Sequence, residues 1–156
     1  MLRYKFNGLS FYSSVYTDLM INKLDREEYV CDCITWVPLS RKRLRSRGYD
    51  QAKLLSEGFA ASAGLPCEEL LKKIRNTAPQ SGTDSRAERK SNIKNAYRTV
   101  QEEKIVGKSI LLMDDIVTTG ATLSECAQAL KRAGAKQVRA LTLARTDLKS
   151  LELEKP

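Results

Sequence analysis

At 156 residues and 42% hydrophobic, the chain is long enough for one domain with its own core and too apolar to be disordered. Lysine and arginine outnumber the acids 27 to 19, a formal net charge of +8, which favours an anionic partner, either a highly charged small ligand or nucleic acid. Histidine is absent, which removes histidine acid–base chemistry, Ser-His triads and the common histidine metal sites. No apolar run approaches the ~20 residues of a membrane span, and Met1–Gly8 lacks the long apolar core of a secretory leader, so no membrane insertion and a cytoplasmic location are expected.

In chain order, residues 1–29 are predicted helical, with Leu9, Tyr12, Val15, Tyr16 and Leu19 on one face and Leu24 later. Cys31–Pro38 is β-prone through Ile34, Trp36 and Val37. It runs into a basic loop, Leu39–Gly48, carrying Arg41, Lys42, Arg43, Arg45 and Arg47. A helix is predicted over Asp50–Ala63, with Ala52, Leu55, Phe59 and Ala60 on one side and Gly64 past its end. Leu70–Arg75 is a short strand candidate. Asn76–Arg98 is polar and charged, with a helix start at Ser85–Glu88 by capping-box spacing.

Ile110–Met113 then reads as a buried strand that ends at two carboxylates, Asp114 and Asp115. A loop of small residues, Thr118, Thr119, Gly120, Ala121 and Thr122, opens a helix with Leu123, Cys126, Ala127, Leu130 and Ala133 on its apolar face. Gly134 ends that helix, Gln137–Ala144 is a further strand, and the tail from Asp147 is charged. Alternating strands and helices predict an α/β fold with a mostly parallel sheet flanked by helices. In such sheets ligands bind beyond the carboxyl ends of the strands, which nominates Leu39–Gly48 and Ile116–Thr122 together. Cys31, Cys33, Cys67 and Cys126 lack zinc-ribbon spacing and read as reduced, partly buried thiols.

The segment from Leu112 to Thr122 carries the most chemistry. A helix N-terminus offers free backbone N–H groups to a phosphate, hydroxyls add donors, and glycine admits close approach. Adjacent carboxylates repel a phosphate but suit hydroxyl donors or a divalent cation. A sugar with a phosphate at one end and two free hydroxyls nearby satisfies all of these parts. A lone acid pair or a lone Thr-Gly-x-Thr would read as a turn capping a helix. The unbroken string Ile110-Leu-Leu-Met-Asp-Asp-Ile-Val-Thr-Thr-Gly-Ala-Thr122 resembles the phosphoribosyl pyrophosphate (PRPP) motif of type I phosphoribosyltransferases.

That resemblance implies that Asp114 and Asp115 contact the ribose hydroxyls and hold Mg²⁺ with PRPP, and that Thr118, Thr119, Gly120, Ala121 and Thr122 wrap the 5′-phosphate. It places the pyrophosphate at the loop after the first strand, here Pro38, Leu39, Ser40, Arg41 and Arg47, with Arg45 stabilising the leaving group. It also implies a mobile loop within Asn76–Arg98, including Arg89, that closes over PRPP. The chain then divides into an N-terminal hood-like region (1–29), a PRPP-binding core (30–146) and a tail (147–156), all within one domain.

Further segments narrow the resemblance. Tyr4-Lys-Phe-Asn-Gly8, the string from Val37 through Arg47-Gly-Tyr-Asp-Gln-Ala52, Arg75-Asn-Thr-x-x-Gln80 and Arg89-x-x-Asn92 are similar to the ComF competence family. Members commonly carry an N-terminal four-cysteine zinc ribbon, which this sequence does not show. Thr118 stands where purine-salvage members place an acid for the base, so that route is not expected. The resemblance leaves two readings. One is an enzyme that transfers phosphoribosyl to a nitrogen acceptor, releasing pyrophosphate. The other is a PRPP-sensing or binding module that meets single-stranded DNA or a competence helicase during DNA uptake or repair. Homodimers are frequent in the family.

Overall fold

The computed structural model describes residues 30–75 and 95–145. The N-terminal helix, the Ser85–Glu88 start, Arg89, the PRPP-covering loop and the tail from Asp147 lie outside the described residues.

Strand β1 (Cys33–Trp36), strand β4 (Ser109–Val117) and strand β5 (Gln137–Arg145) form a parallel sheet in the order β1-β4-β5. Ile110, Leu111, Leu112 and Met113 are all fully buried, as expected of a central parallel strand covered on both faces. Helix α2 (Gln51–Ala63) covers one face, where Leu55 and Phe59 pack with Ile34, Leu111, Met113 and Leu141. Helix α3 (Ala121–Arg132) covers the other, where Cys126, Ala129 and Leu130 pack with Cys33, Ile110 and Leu112. Successive residues of β4 therefore feed two different cores, which fixes its register.

The limits of α2 follow from its sequence. Asp50 is the N-cap, its carboxylate accepting the Lys53 amide at 3.2 Å, and Gly64 ends the helix in the left-handed region at φ 65°. The described residues place β5 at the edge of the sheet, and Leu141 alone in it is buried.

Two expectations are corrected. The basic segment is not a loop: Arg41–Arg47 forms helix α1, capped by Ser40, whose Oγ accepts the Arg43 amide at 3.4 Å, and ended by Gly48 at φ 79°. Arginine and lysine are good helix formers, and a serine cap at one end with a glycine at the other delimits the element. None of its residues is buried, so no apolar periodicity announced it. The second correction concerns strand β2 (Leu71–Lys73), which does not extend the parallel sheet. It pairs antiparallel with strand β3 (Tyr97–Thr99), which begins at the end of the polar, charged stretch Asn76–Arg98, where no strand is predicted. The chain ahead of β2 runs beside β1 through a parallel bridge between Ile34 and Cys67, then turns away into this ribbon.

The 3-10 turn Glu102–Lys104 follows β3, and Lys104 reaches Glu68 at 2.7 Å. Cys31, Cys33 and Cys126 are buried and Cys67 is half-buried, all as free thiols. Burial is the main cause that pushes Cys33 and Cys67 up to about 11, and it raises Cys126 further, which favours the protonated thiols at neutral pH.

Candidate phosphoribosyl site

The site begins where two neighbouring strands part. The last register pair of β1 with β4 is Trp36 with Met113, and the Val37 amide donates to the Met113 carbonyl at 2.9 Å. Strand β4 continues beside β5 through the pair Val117–Arg145. Asp114 and Asp115 therefore lie within the strand, which runs past them to Val117, and not at its end. They have β5 beside them but no longer β1, which opens a crevice at the carboxyl end of β1.

Each carboxylate is steadied by the amide that follows it. Asp114 Oδ1 accepts from the Asp115 amide at 2.9 Å, and Asp115 Oδ1 accepts from the Ile116 amide at 2.8 Å. Both residues are half-buried. Burial, followed by the charge of Asp115, pushes the Asp114 carboxyl up to about 7. A carboxylate held that high gains most from a cation or from hydroxyl donors.

Beyond β4, the chain turns through Thr118 and Thr119 to Gly120, the N-cap of α3, at φ 75°. Gly120 has no side chain to cap the helix, and no acid lies in its first turn. Thr119 Oγ1 takes the Ala121 amide at a long 3.4 Å. The start of α3 therefore presents donors with little internal satisfaction and no like charge to oppose an anion. Thr118 is exposed; Thr119, Ala121 and Thr122 are half-buried.

On the other side of the crevice, Pro38 and Ser40 are buried and Leu39 half-buried. The Leu39 amide donates to Asp50 Oδ2 at 2.9 Å, so a buried carboxylate at the start of α2 fixes the chain between β1 and α1. Of the α1 cations, Arg41, Arg45 and Arg47 are exposed, whereas Arg43 is half-buried. Arg43 is also the one whose charge acts on Lys73 and Tyr97.

Lys73 and Tyr97 form a cross-strand pair of β2 and β3, with the Lys73 ammonium 5.2 Å from the ring centroid. Burial lowers the Lys73 pKa first, Arg43 adds to this, and Cys126 and Asp114 oppose it. Burial likewise raises Tyr97. The charges of Asp114 and Arg43 thus both act on the Lys73–Tyr97 pair. Of these the sequence reading nominated Asp114 alone. Lys73 carried a usable signal, because it shares a strand face with buried Leu71, an apolar position for a cation.

Among the described residues no three acids, cysteines or histidines form a metal-binding group. Two adjacent carboxylates remain, a donor set suited to a hard cation that takes its other ligands from water and substrate. Among the described residues no helix is long and apolar enough to cross a membrane.

Comparison with known proteins bears on the family and the fold. Residues 46–155 match the phosphoribosyl transferase domain model. Competence protein F of Haemophilus influenzae is 33% identical over 116 residues, 73% of this chain and 50% of that protein. The DNA utilization protein YhgH of Escherichia coli K12 is 40% identical over 118 residues, 74% of this chain and 50% of its own length. The chain thus spans about half the length of these curated relatives. Among solved structures, Bacillus subtilis glutamine PRPP amidotransferase, complexed with ADP and GMP, aligns with a TM-score of 0.55 and 23% identity over 84% of this chain and 26% of that one. Adenine phosphoribosyltransferase of Saccharomyces cerevisiae aligns with a TM-score of 0.53 and 14% identity over 91% and 73%. These similarities and the parallel β1-β4-β5 sheet place the chain in the type I phosphoribosyltransferase family, among its ComF-type members.

Proposed function

We propose that the chain binds PRPP with Mg²⁺ and transfers its phosphoribosyl group to a nitrogen acceptor, with release of pyrophosphate, in a process linked to DNA uptake. The observation that carries this reading is the half-buried pair Asp114–Asp115 at the parting of β1 and β4, followed at once by the uncapped start of α3. In this reading the carboxylates accept the ribose hydroxyls and fix the sugar ring. The amides at the start of α3 and the hydroxyls of Thr118, Thr119 and Thr122 hold the 5′-phosphate. Pro38, Leu39, Ser40, Arg41 and Arg47 border the pyrophosphate, and the α1 cations stabilise charge as it departs, the half-buried Arg43 more than the exposed Arg45. Asp114 and Asp115 would hold the Mg²⁺, which neutralises charge on the pyrophosphate when bound. Arg89 would add a contact from the segment that covers PRPP. With Asp114 and Asp115 committed to the ribose and Mg²⁺, the motif offers no further general base, which fits either an acceptor nitrogen that arrives deprotonated or a base supplied from outside the motif.

Calorimetric titration with PRPP, with and without Mg²⁺, tests the reading on the wild type and on Asp115→Asn. Magnesium-dependent binding that the substitution abolishes supports it. Equal affinity in both proteins means the ribose assignment is wrong.

A second reading is a binding module for single-stranded DNA or a DNA-handling helicase. One observation favours it: Arg41, Lys42, Arg43, Arg45 and Arg47 make no ion pair among the described residues, and α1 contains no acid. The two readings can hold for one protein.

A further inference from the structure

A cleft of about 790 Å³ lies beside the crevice and is lined by no residue of Asp114–Thr122. Its floor is Trp36, and its walls are α1, the first turns of α2 and strand β2. The volume falls in the ~300–1,000 Å³ range of small-molecule sites. Three of the six large apolar side chains that the described residues expose line this one cleft: Leu44 at 41%, Leu54 at 36% and Ile74 at 56%. Scattered exposed apolar residues need no explanation, but three of them converging on one concavity do.

The charge around the cleft is lopsided. Lys53 is engaged by Glu57 at 3.6 Å and lies 5.6 Å from the Trp36 ring centroid. The Asp50 carboxylate is taken by the Leu39 and Lys53 amides. That leaves Arg41, Lys72 and Lys73, none with an ion pair among the described residues, against Glu69 alone. Flat apolar walls with surplus cations at the rim fit a planar aromatic ring that carries an anionic group. A purely apolar ligand would leave the cations unanswered, and inorganic phosphate would leave the apolar walls wet.

We propose that this cleft is a second ligand site, beside the PRPP motif, which takes a mononucleotide: its base lies between Leu44, Leu54 and Ile74 over Trp36, and its phosphate meets Arg41 and Lys72. The cleft shares no residue with Asp114–Thr122 but does share Pro38, Leu39 and Arg41 with the expected pyrophosphate position, so a mononucleotide here and pyrophosphate compete for Arg41.

Trp36 is the one tryptophan of the chain, so its fluorescence reports on this cleft without signal from another tryptophan, and the Asp115→Asn arm separates the cleft from the PRPP motif. The experiment is a titration of the whole chain with AMP, in the wild type, Leu44→Glu, Lys72→Glu and Asp115→Asn, with circular dichroism as the folding check. Saturable quenching is expected in the wild type and equally in Asp115→Asn. Leu44→Glu and Lys72→Glu should each weaken AMP by about tenfold or more, and adenosine should bind the wild type about tenfold more weakly than AMP. Lys72 is exposed, so its reversal tests the rim even if the Leu44 variant fails to fold. Absence of saturable quenching overturns the proposal. So does displacement of AMP by ribose 5-phosphate, or its loss in Asp115→Asn, either of which puts the nucleotide at the PRPP motif. Unchanged AMP affinity in folded Lys72→Glu also overturns it. Conversion of a dimer to a monomer by Leu44→Glu, with AMP inert, makes the cleft an interface between copies instead.

Discussion

Asp50 accepts the Leu39 amide at 2.9 Å from eleven residues further along the chain. The same carboxylate caps α2 through the Lys53 amide. One buried acid thereby sets both the start of a core helix and the path of the chain where pyrophosphate is expected. Asp50→Ala removes a cap and a charge-assisted bond, and should cost about 1–3 kcal/mol of stability. It should also weaken pyrophosphate more than ribose 5-phosphate, because the loop loses its anchor while α3 is untouched. Thermal unfolding and two ligand titrations check this. Equal weakening of both ligands would reduce Asp50 to a helix cap.

Asp114 supplies a pH signature. Its folded-state pKa, about 7, lies above the ordinary carboxylate value of 3.8, so the folded protein holds more protons than the unfolded chain between those limits. Stability contributed by this group is therefore highest below pH 4 and falls as pH rises towards 7. Asp114→Asn should flatten that slope and stabilise the unliganded protein at pH 7.5, by at most about 4 kcal/mol. Ligand binding should run the other way. PRPP–Mg²⁺ affinity in the wild type should rise from pH 6 to pH 8 as the carboxyl ionises. A pH-independent melting difference between wild type and variant would show that Asp114 does not titrate in this range.

Gly120 sits at φ 75° at the start of α3. A Cβ there would meet nothing nearer than Val117 Cγ2 at 4.0 Å, so the cost of Gly120→Ala is conformational and not steric contact. That cost is about 1–2 kcal/mol. The chain can relieve it by retracting the loop, which moves the amides and hydroxyls that would hold a phosphate. Ribose 5-phosphate affinity should fall by about tenfold, whereas pyrophosphate affinity should change little. Thr119→Ala, which leaves the backbone in place, should have the smaller effect in the same titration.

These cases also show what the sequence made legible. The strand and helix around Asp114–Thr122 were readable because an apolar run, an acid pair and a glycine follow one another without interruption. Helix α2 was readable from Asp50 at one end and Gly64 at the other. Helix α1 was not, because it buries nothing, and periodicity reports burial. Strand β3 was missed since Tyr97-Arg-Thr99 has one apolar residue, and its pairing with β2 is a long-range event. Arg43 is one of five cations in a row of seven residues, and only the helix distinguishes it, by half-burying it while Arg45 stays exposed.

That last difference is testable within α1. Arg43 is half-buried and its charge acts on Lys73, whereas Arg45 and Arg47 face solvent, where single charges contribute little. Arg43→Ala should therefore raise the pyrophosphate dissociation constant more than Arg45→Ala or Arg47→Ala does, by about tenfold against about twofold. Binding of single-stranded DNA to the same helix should show the opposite pattern. There each exposed cation neutralises a phosphate, and each phosphate neutralised adds about 0.7 to the slope with which log K falls against log salt. Arg45→Ala and Arg47→Ala should each reduce that slope by about 0.7, with Arg43→Ala affecting it least. Measured on one set of variants, pyrophosphate titration and the salt dependence of DNA binding separate the cation that serves the crevice from those that serve the surface. If all three substitutions act alike in both assays, α1 is a uniform basic face and the half-burial of Arg43 has no functional weight.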